Sequence, residues 1–461
     1  MNTTRRQFIQ TGAVFGTMVP AMAARGGQGA PKASGFAEPS RELALHTDAD
    51  VIVCGAGPAG VTAAISAARA GAKVRLFEAH GSLGGVWTSS LLGYLLDFNK
   101  PGFNQELVKR LRERDAIRGE GMNGLAYQPE EMKLLLEELC VAAGVKVQLH
   151  TRVAAAYREG RRLAAIVTES KSGRQAWKAP VFIDTTGDGD LGAQAGCEFE
   201  IGEAKACPCQ PLSMCVLITV KDPAALSEVI HQTSRDTFKS KMAFLADIKR
   251  AGIEPSYGHP TLFPIRNNLL LAMVNHEYGI NATDAAAVSD ATLRARAELH
   301  RIFRALRRLG GPWEGVEIVA TPEQIGIRDG RRIRGRYVVE KDDLLKGARH
   351  ADAVVRAEFP VDVHAMKKDG KPVSDEGVKT QPYDIPLRAL IARDVDGLLM
   401  AGRCISGDFI AHASYRVTGN AVAMGEAAGA TAAVAVKNKS LPHDVPWSEV
   451  TPVITKVRAR V

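Results

Sequence analysis

The sequence has 461 residues, 46% hydrophobic and 24% charged, a globular balance with enough apolar material for two or three domains. Its net charge of +8 is spread over short clusters, Arg328 to Arg336 the densest, with no basic run interleaved with aromatics. That pattern argues against a nucleic-acid surface and fits a solvated exterior or a small anionic substrate.

The N-terminal Thr4-Arg5-Arg6-Gln7-Phe8 places two arginines and a Phe before an apolar run from Thr11 to Pro20, too short to span a bilayer. Ala21-Met22-Ala23 then supplies the small residues of a cleavage site. Residues 1–23 resemble a twin-arginine export signal, which implies a periplasmic or otherwise exported protein that folds around a tightly held cofactor before leaving. Residues 24–47, rich in Gly, Pro, Ala and Ser, read as a linker. No later segment is apolar for long enough to be transmembrane, so no stable membrane insertion is expected after signal cleavage.

Asp50 to Cys54 has the pattern of a buried strand and runs into Gly55-Ala56-Gly57-Pro58-Ala59-Gly60. A helix faced with Ala63, Ala64, Ala67 and Ala68 follows, and then a second strand ending at Glu78. In such a unit Gly55 makes the tight turn, Gly57 admits a diphosphate to the backbone, and Gly60 lets helix and strand pack closely. The phosphates meet free N–H groups at the helix N-terminus, and Glu78 is placed for the ribose hydroxyls. The next turn, Gly81-Ser82-Leu83-Gly84-Gly85, has no use in an NAD domain but suits the longer FAD.

Beyond a predicted helix over Glu130 to Ala143, the segments up to Lys171-Ser172-Gly173 suggest a strand through Val153 and a β-meander. The chain then returns through Val181-Phe182-Ile183-Asp184 into Thr185-Thr186-Gly187-Asp188-Gly189-Asp190. A middle section carries strand-like runs, Met214 to Val220 and Asn268 to Val274, and a helix over Asp290 to Arg308. Late in the chain, Gly397 to Met400 is a strand entering Ala401-Gly402-Arg403, and Gly419-Asn420-Ala421 opens a helix of small residues aimed at the flavin. The expected fold class is α/β: a Rossmann-like FAD-binding domain with a β-meander in two parts, 48–214 and 326–436. Residues 215–325 are an inserted α+β cap or substrate domain, and 437–461 a C-terminal tail.

The strand-loop-helix ending in Glu78, the Thr-Gly-Asp-Gly-Asp turn and the late Ala-Gly-Arg resemble the glutathione-reductase-type FAD fold. Gly326-Ile327-Arg328-Asp329-Gly330-Arg331-Arg332-Ile333-Arg334-Gly335, Tyr383-Asp384-Ile385-Pro386-Leu387-Arg388 and the stretch Ala401 to Gly429 are more specific. Together they resemble FAD-dependent oxidoreductases related to heterodisulfide reductase A-like and, more distantly, fumarate-reductase-like flavoproteins. The resemblance implies bound FAD and redox chemistry without naming a substrate. The expected FAD contacts are Gly55, Gly57, Pro58, Ala59, Gly60, Glu78, Gly84, Gly85, Val153, Thr186, Gly187, Asp188, Gly402, Arg403, Asn420 and Ala421.

Only one dinucleotide fingerprint is present, and no Cys-x4-Cys pair stands beside it. The simplest scheme is a dehydrogenase or oxidase: a small organic substrate exchanges hydride with FAD, and an acceptor of unknown kind resets it. Two alternatives stand beside it. One is an electron-transfer subunit with a partner protein and an iron-sulfur cluster on Cys207, Cys209 and Cys215, although no metal site is expected because the usual ligand spacings are missing. The other is a flavin monooxygenase, which the Thr186 to Gly189 turn weakly resembles. His412 and Arg416, four residues apart, are the expected catalytic base and substrate-holding cation if both face the ring; a hydrogen-bonded loop role for His412 remains equally open. Arg328 and Arg331 either reach the site or make salt bridges. His276 is expected at the surface or in the substrate pocket, and His80 is an ordinary loop residue.

Overall fold

The computed structural model describes residues 35–121, 124–203, 209–231 and 237–459. The twin-arginine segment, its cleavage site and Cys207 therefore lie outside the described residues. Residues 1–42 and Leu43–Val461 separate as two units, and all that follows concerns the second.

Its centre is a five-stranded parallel sheet in the order Leu398–Met400, Val181–Asp184, Val51–Cys54, Val74–Phe77, Lys146–Gln148. Every residue of Val51–Cys54 and Val181–Asp184 is buried, as expected where helices or a second layer cover both faces. The long excursion between the strands at Asp184 and Leu398 means that the chain leaves this sheet and returns to complete it. A four-stranded meander flanks it: Leu45–His46, Gly173–Trp177, Arg162–Ser170, Arg152–Glu159. Leu45–His46, read from sequence as linker, thus adds a parallel edge strand to Ala176–Trp177, and His46 stacks on Trp177 with ring centres 4.1 Å apart.

Two helices pack against each other on the parallel sheet. Pro58–Arg69 follows the first strand, and the return helix, Thr418–Asn438, packs on it along a seam of small residues. A Cβ on Gly425 would stand 2.2 Å from Ala59 O, and one on Gly429 2.2 Å from Ala63 O. Only bare glycine lets the two backbones meet at that distance. Ser66 Oγ donates to Glu426 O at 2.8 Å across the seam. The segment read as a tail contains the helix Trp447–Arg458, whose Arg458 Nη2 pairs with the buried Glu426 carboxylate at 2.6 Å.

The inserted section has its own core, drawn from Leu212 to Ile325. An antiparallel sheet in the order Thr261–Arg266, Leu269–Met273, Cys215–Thr219, Glu317–Ala320 packs against the helices Thr237–Arg250 and Ala285–Leu309. Asp284 caps the long helix, accepting from Ala286 N at 3.0 Å and Ala287 N at 3.1 Å. Among the described residues no helix is long and apolar enough to cross a membrane.

Candidate functional site

One cavity of about 530 Å³ runs from the end of the first strand to the underside of the inserted sheet. Its outer part is built by the first turn. Gly55 has φ +94°, a conformation glycine takes without strain, and it turns the chain from strand to helix. Thr185 Oγ1 donates to Gly55 O at 2.7 Å and ties this turn to the neighbouring strand. Pro58 occupies the first helical turn, where its missing N–H costs nothing.

Gly57 and Gly60 divide the labour. A Cβ on Gly60 would lie 1.9 Å from Gly55 O, whereas one on Gly57 would meet nothing within 4 Å. Gly57 also has φ −68° and ψ −173°, open to any residue. Neither packing nor backbone demands glycine there; a ligand lying on that backbone does. Glu78 closes the second strand and accepts from Ala56 N at 2.6 Å and His80 N at 2.9 Å. The second glycine loop is stitched to the first by Gly84 N donating to Ala56 O at 2.8 Å.

On the opposite wall, Asp184 organises the Thr-Gly-Asp turn by accepting from Thr186 N, Thr186 Oγ1 and Gly192 N. Burial raises its carboxyl to about 6 against those hydrogen bonds. Arg403 ties three segments together: Nη1 donates to Ile327 O at 2.8 Å, and Nη2 lies 2.9 Å from Asp188 Oδ1. Thr418, at the start of the return helix, lines the cavity, and its buried Oγ1 has no partner among the described residues. A diphosphate cradle at a helix N-terminus, an acid at the second strand and an orphaned hydroxyl on the return helix together suit FAD.

Gly55, Gly57, Pro58, Ala59, Glu78, Gly85, Val153, Thr186, Gly187, Asp188, Gly402, Arg403 and Ala421 all line the cavity. Gly60, Gly84 and Asn420 stand behind its wall; Asn420 is fully buried, and neither of its side-chain polar atoms has a partner among the described residues.

The inner end is polar. Arg328, Asp362, His364 and Arg416 line it together with Ser213, Cys215 and Met273 from the inserted section. Arg416 Nη2 donates to Asp362 O at 2.6 Å and lies 3.1 Å from its Oδ2, while its buried Nε has no partner among the described residues. Arg328 Nη1 donates to Pro211 O at 2.7 Å and Ser213 Oγ at 2.8 Å. His364 Nε2 stands 3.3 Å from Asp362 Oδ2, and its Nδ1 is buried without a partner among the described residues. Burial, reinforced by the Arg328 charge, lowers His364 to about 4, so its imidazole is neutral near pH 7. Burial works to raise Asp362, but His364, Arg416 and Arg328 outweigh it and hold the carboxyl below its usual range.

Two expectations are overturned at this end. His412 and Arg416 do not both face the cavity: His412, within the helix Phe409–Tyr415, is fully buried behind the wall. Its Nδ1 lies 3.3 Å from Asp329 Oδ1 without hydrogen-bond geometry, and burial lowers the ring to about 4. The spacing of four was right, but the short imidazole ends in the core while the longer Arg416 chain reaches Asp362. His276 is neither at the surface nor on the cavity wall. It is buried behind His364, its ring centre 5.1 Å away, and stacks on Tyr257. Of the two fates open to Arg328 and Arg331, Arg328 lines the cavity, whereas Arg331 pairs with Asp190 at 2.8 Å.

Cys209 is disulfide-bonded, and Cys215 is a buried free thiol raised to about 12 by burial. Neither sulfur is an open thiolate for a cluster. Among the described residues no group of three His, Cys, Asp or Glu side chains is arranged to hold a metal ion. Sequence reasoning missed Asp362 and His364. The available signal was their spacing, since alternate residues on extended backbone share a face.

The family model described as FAD dependent oxidoreductase matches residues 50–460. A thiamine thiazole synthase of Pyrococcus abyssi is 36% identical over 110 residues, which is 23% of this chain and 41% of that protein. The match thus spans about two fifths of that relative. A geranylgeranyl bacteriochlorophyll reductase-like protein of Thermoplasma acidophilum superimposes with TM-score 0.45 at 12% identity, over 90% of this chain and 84% of that one. A p-nitrophenol 4-monooxygenase of Pseudomonas putida gives TM-score 0.46 at 10% identity, over 90% and 85%.

Proposed function

Because the chain belongs to the FAD-dependent oxidoreductase family, we propose that it oxidises or reduces a small organic molecule seated at the inner end of the cavity, with His364 handling the proton. The supporting observation is continuity: one cavity joins the diphosphate cradle at Gly57 to the Asp362–His364 pair. Bound FAD supplies a two-electron site that exchanges hydride with the substrate.

The protein's own residues supply the rest. Asp362 Oδ2 lies 3.3 Å from His364 Nε2, and because Nδ1 is buried away from the cavity, Nε2 is the lone-pair nitrogen that would meet the substrate. That nitrogen takes the proton from a substrate O–H or N–H as the neighbouring C–H bond is broken. The inserted sheet contributes Cys215 and Met273 to the wall at this end. Kinship with heterodisulfide reductase A-like and fumarate-reductase-like flavoproteins, carried by Gly326 to Gly335, and export by the Arg5-Arg6 signal both belong to this proposal. So does an external acceptor that resets the flavin.

The experiment is to mix oxidised holoprotein anaerobically with panels of hydroxy acids, amino acids, sugars and steroids. Bleaching of the flavin band in the parent, and its marked slowing in His364→Gln at equal FAD content, supports the proposal. Equal bleaching in both proteins removes His364 from the reaction.

A further inference from the structure

The inner end of the cavity holds more positive than negative charge. Among the side chains on its wall, Arg328 and Arg416 are cationic, Asp362 is anionic, and His364 and the Cys215 thiol are neutral near pH 7. Asp362 is already shared between Arg416 and His364. Arg328 has no carboxylate within ion-pairing distance among the described residues; its partners there are a carbonyl and a hydroxyl. Lys241, which does not line the cavity, lies close enough to interact with Asp362 and adds to the same sign. A cation taken out of water without a counter-charge is costly, and burial together with the neighbouring Arg416 presses Arg328 down to about 10.

We infer that this end of the cavity is completed by a small organic carboxylate, received by the free donors of Arg328 and by Arg416. A planar guanidinium matches a carboxylate through parallel hydrogen bonds. Among the described residues Arg416 Nε has no partner. Leu92, Leu96 and Met273 give the same cavity apolar surface, so the carboxylate belongs to a molecule with a hydrocarbon portion and not to a bare inorganic anion. This deepens the proposed function and rests on it only in treating the inner end as the substrate's place.

The test is calorimetric titration of oxidised, FAD-loaded protein with lactate and benzoate, with lactamide and benzamide as matched neutral probes, and with inorganic phosphate. Charge-assisted hydrogen bonds are stronger than neutral ones, so one or both acids should bind at least about tenfold tighter than the matching amide. Arg328→Gln should abolish that preference and Arg328→Lys should retain part of it, both at unchanged FAD content. Equal affinity for acid and amide overturns the inference, as does failure of both acids to bind, tighter binding of phosphate than of either acid, or an undiminished preference in Arg328→Gln. The parent acid–amide comparison stands even if a variant fails to fold. A carboxylate that binds with the expected preference, while no compound of the anaerobic panel bleaches the flavin, supports this inference and counts against the hydride-transfer reading alone.

Discussion

Gly57→Ala and Gly60→Ala are one-carbon changes three residues apart, yet the structure assigns them opposite consequences. At Gly60 the new methyl would overlap Gly55 O, 1.9 Å away, and that atom is backbone. The turn must move, at a cost of about 1–3 kcal/mol or more. At Gly57 the methyl meets no protein atom within 4 Å, and the backbone angles suit alanine. Apo stability should change by less than about 1 kcal/mol, in the stabilising direction if at all. The same methyl occupies the face on which the diphosphate rests. Losing one or two charge-assisted N–H contacts of about 1.5–3 kcal/mol each corresponds to roughly tenfold to ten-thousandfold weaker FAD binding. The assay pairs thermal unfolding of apoprotein with fluorescence titration of FAD. Gly57→Ala should melt like the parent and bind FAD poorly, while Gly60→Ala should melt lower even without cofactor. Parental FAD affinity in Gly57→Ala would refute the assignment of that open space to the diphosphate.

Glu78→Gln leaves one oxygen to serve two backbone donors, Ala56 N and His80 N; apoprotein should lose about 1–3 kcal/mol in urea unfolding, and FAD affinity should fall with it. Because His364 is lowered to about 4, its imidazole remains a base above that pH, and kcat should decline only as pH falls through about 4. Arg328 contributes to that lowering, so Arg328→Gln should move the acid limb of the kcat profile upward, and an unmoved limb contradicts the pairing. For His412 the linkage sign is explicit: its pKa is about 4 folded against 6.5 unfolded, so the unfolded chain binds the extra proton between those values. Its stabilising contribution is complete above about pH 6.5 and is lost as pH falls toward 4. Between pH 6.5 and 5 the loss is about 2 kcal/mol, so the fall in urea midpoint over that range should be smaller in His412→Gln. An equal fall in both proteins would show that His412 is not buried neutral.

Local sterics made the outer half of the site legible in the sequence. Gly55 to Gly60 and Glu78 act within one strand-turn-helix unit, so their spacing alone reports their geometry. The inserted section was readable for a similar reason, since continuous apolar strand-like runs and a long helix mark a separate core. The inner end was not legible because it is assembled from four distant segments around Ser213, Arg328, Asp362 and Arg416. Asp362 and His364 lie in a short excursion whose only regular structure is the strand Val363–His364 paired with Val373–Ser374. Nothing in that local pattern says which side chains will meet Arg416. His412 shows the converse: a correct helical spacing with Arg416 could not reveal that the helix turns its imidazole into the core beside Asp329.

In the proposed function the flavin's reacting ring meets the Arg328–His364–Arg416 end of this cavity. A crystal structure of the oxidised holoprotein with a bound, unreactive carboxylate measures it directly. Expected are the diphosphate at the Gly57 turn, the carboxylate on Arg328 and Arg416, and a ligand carbon about 3–3.5 Å from the flavin ring. A ring directed away from His364, or a carboxylate bound elsewhere while this end holds only water, would contradict it.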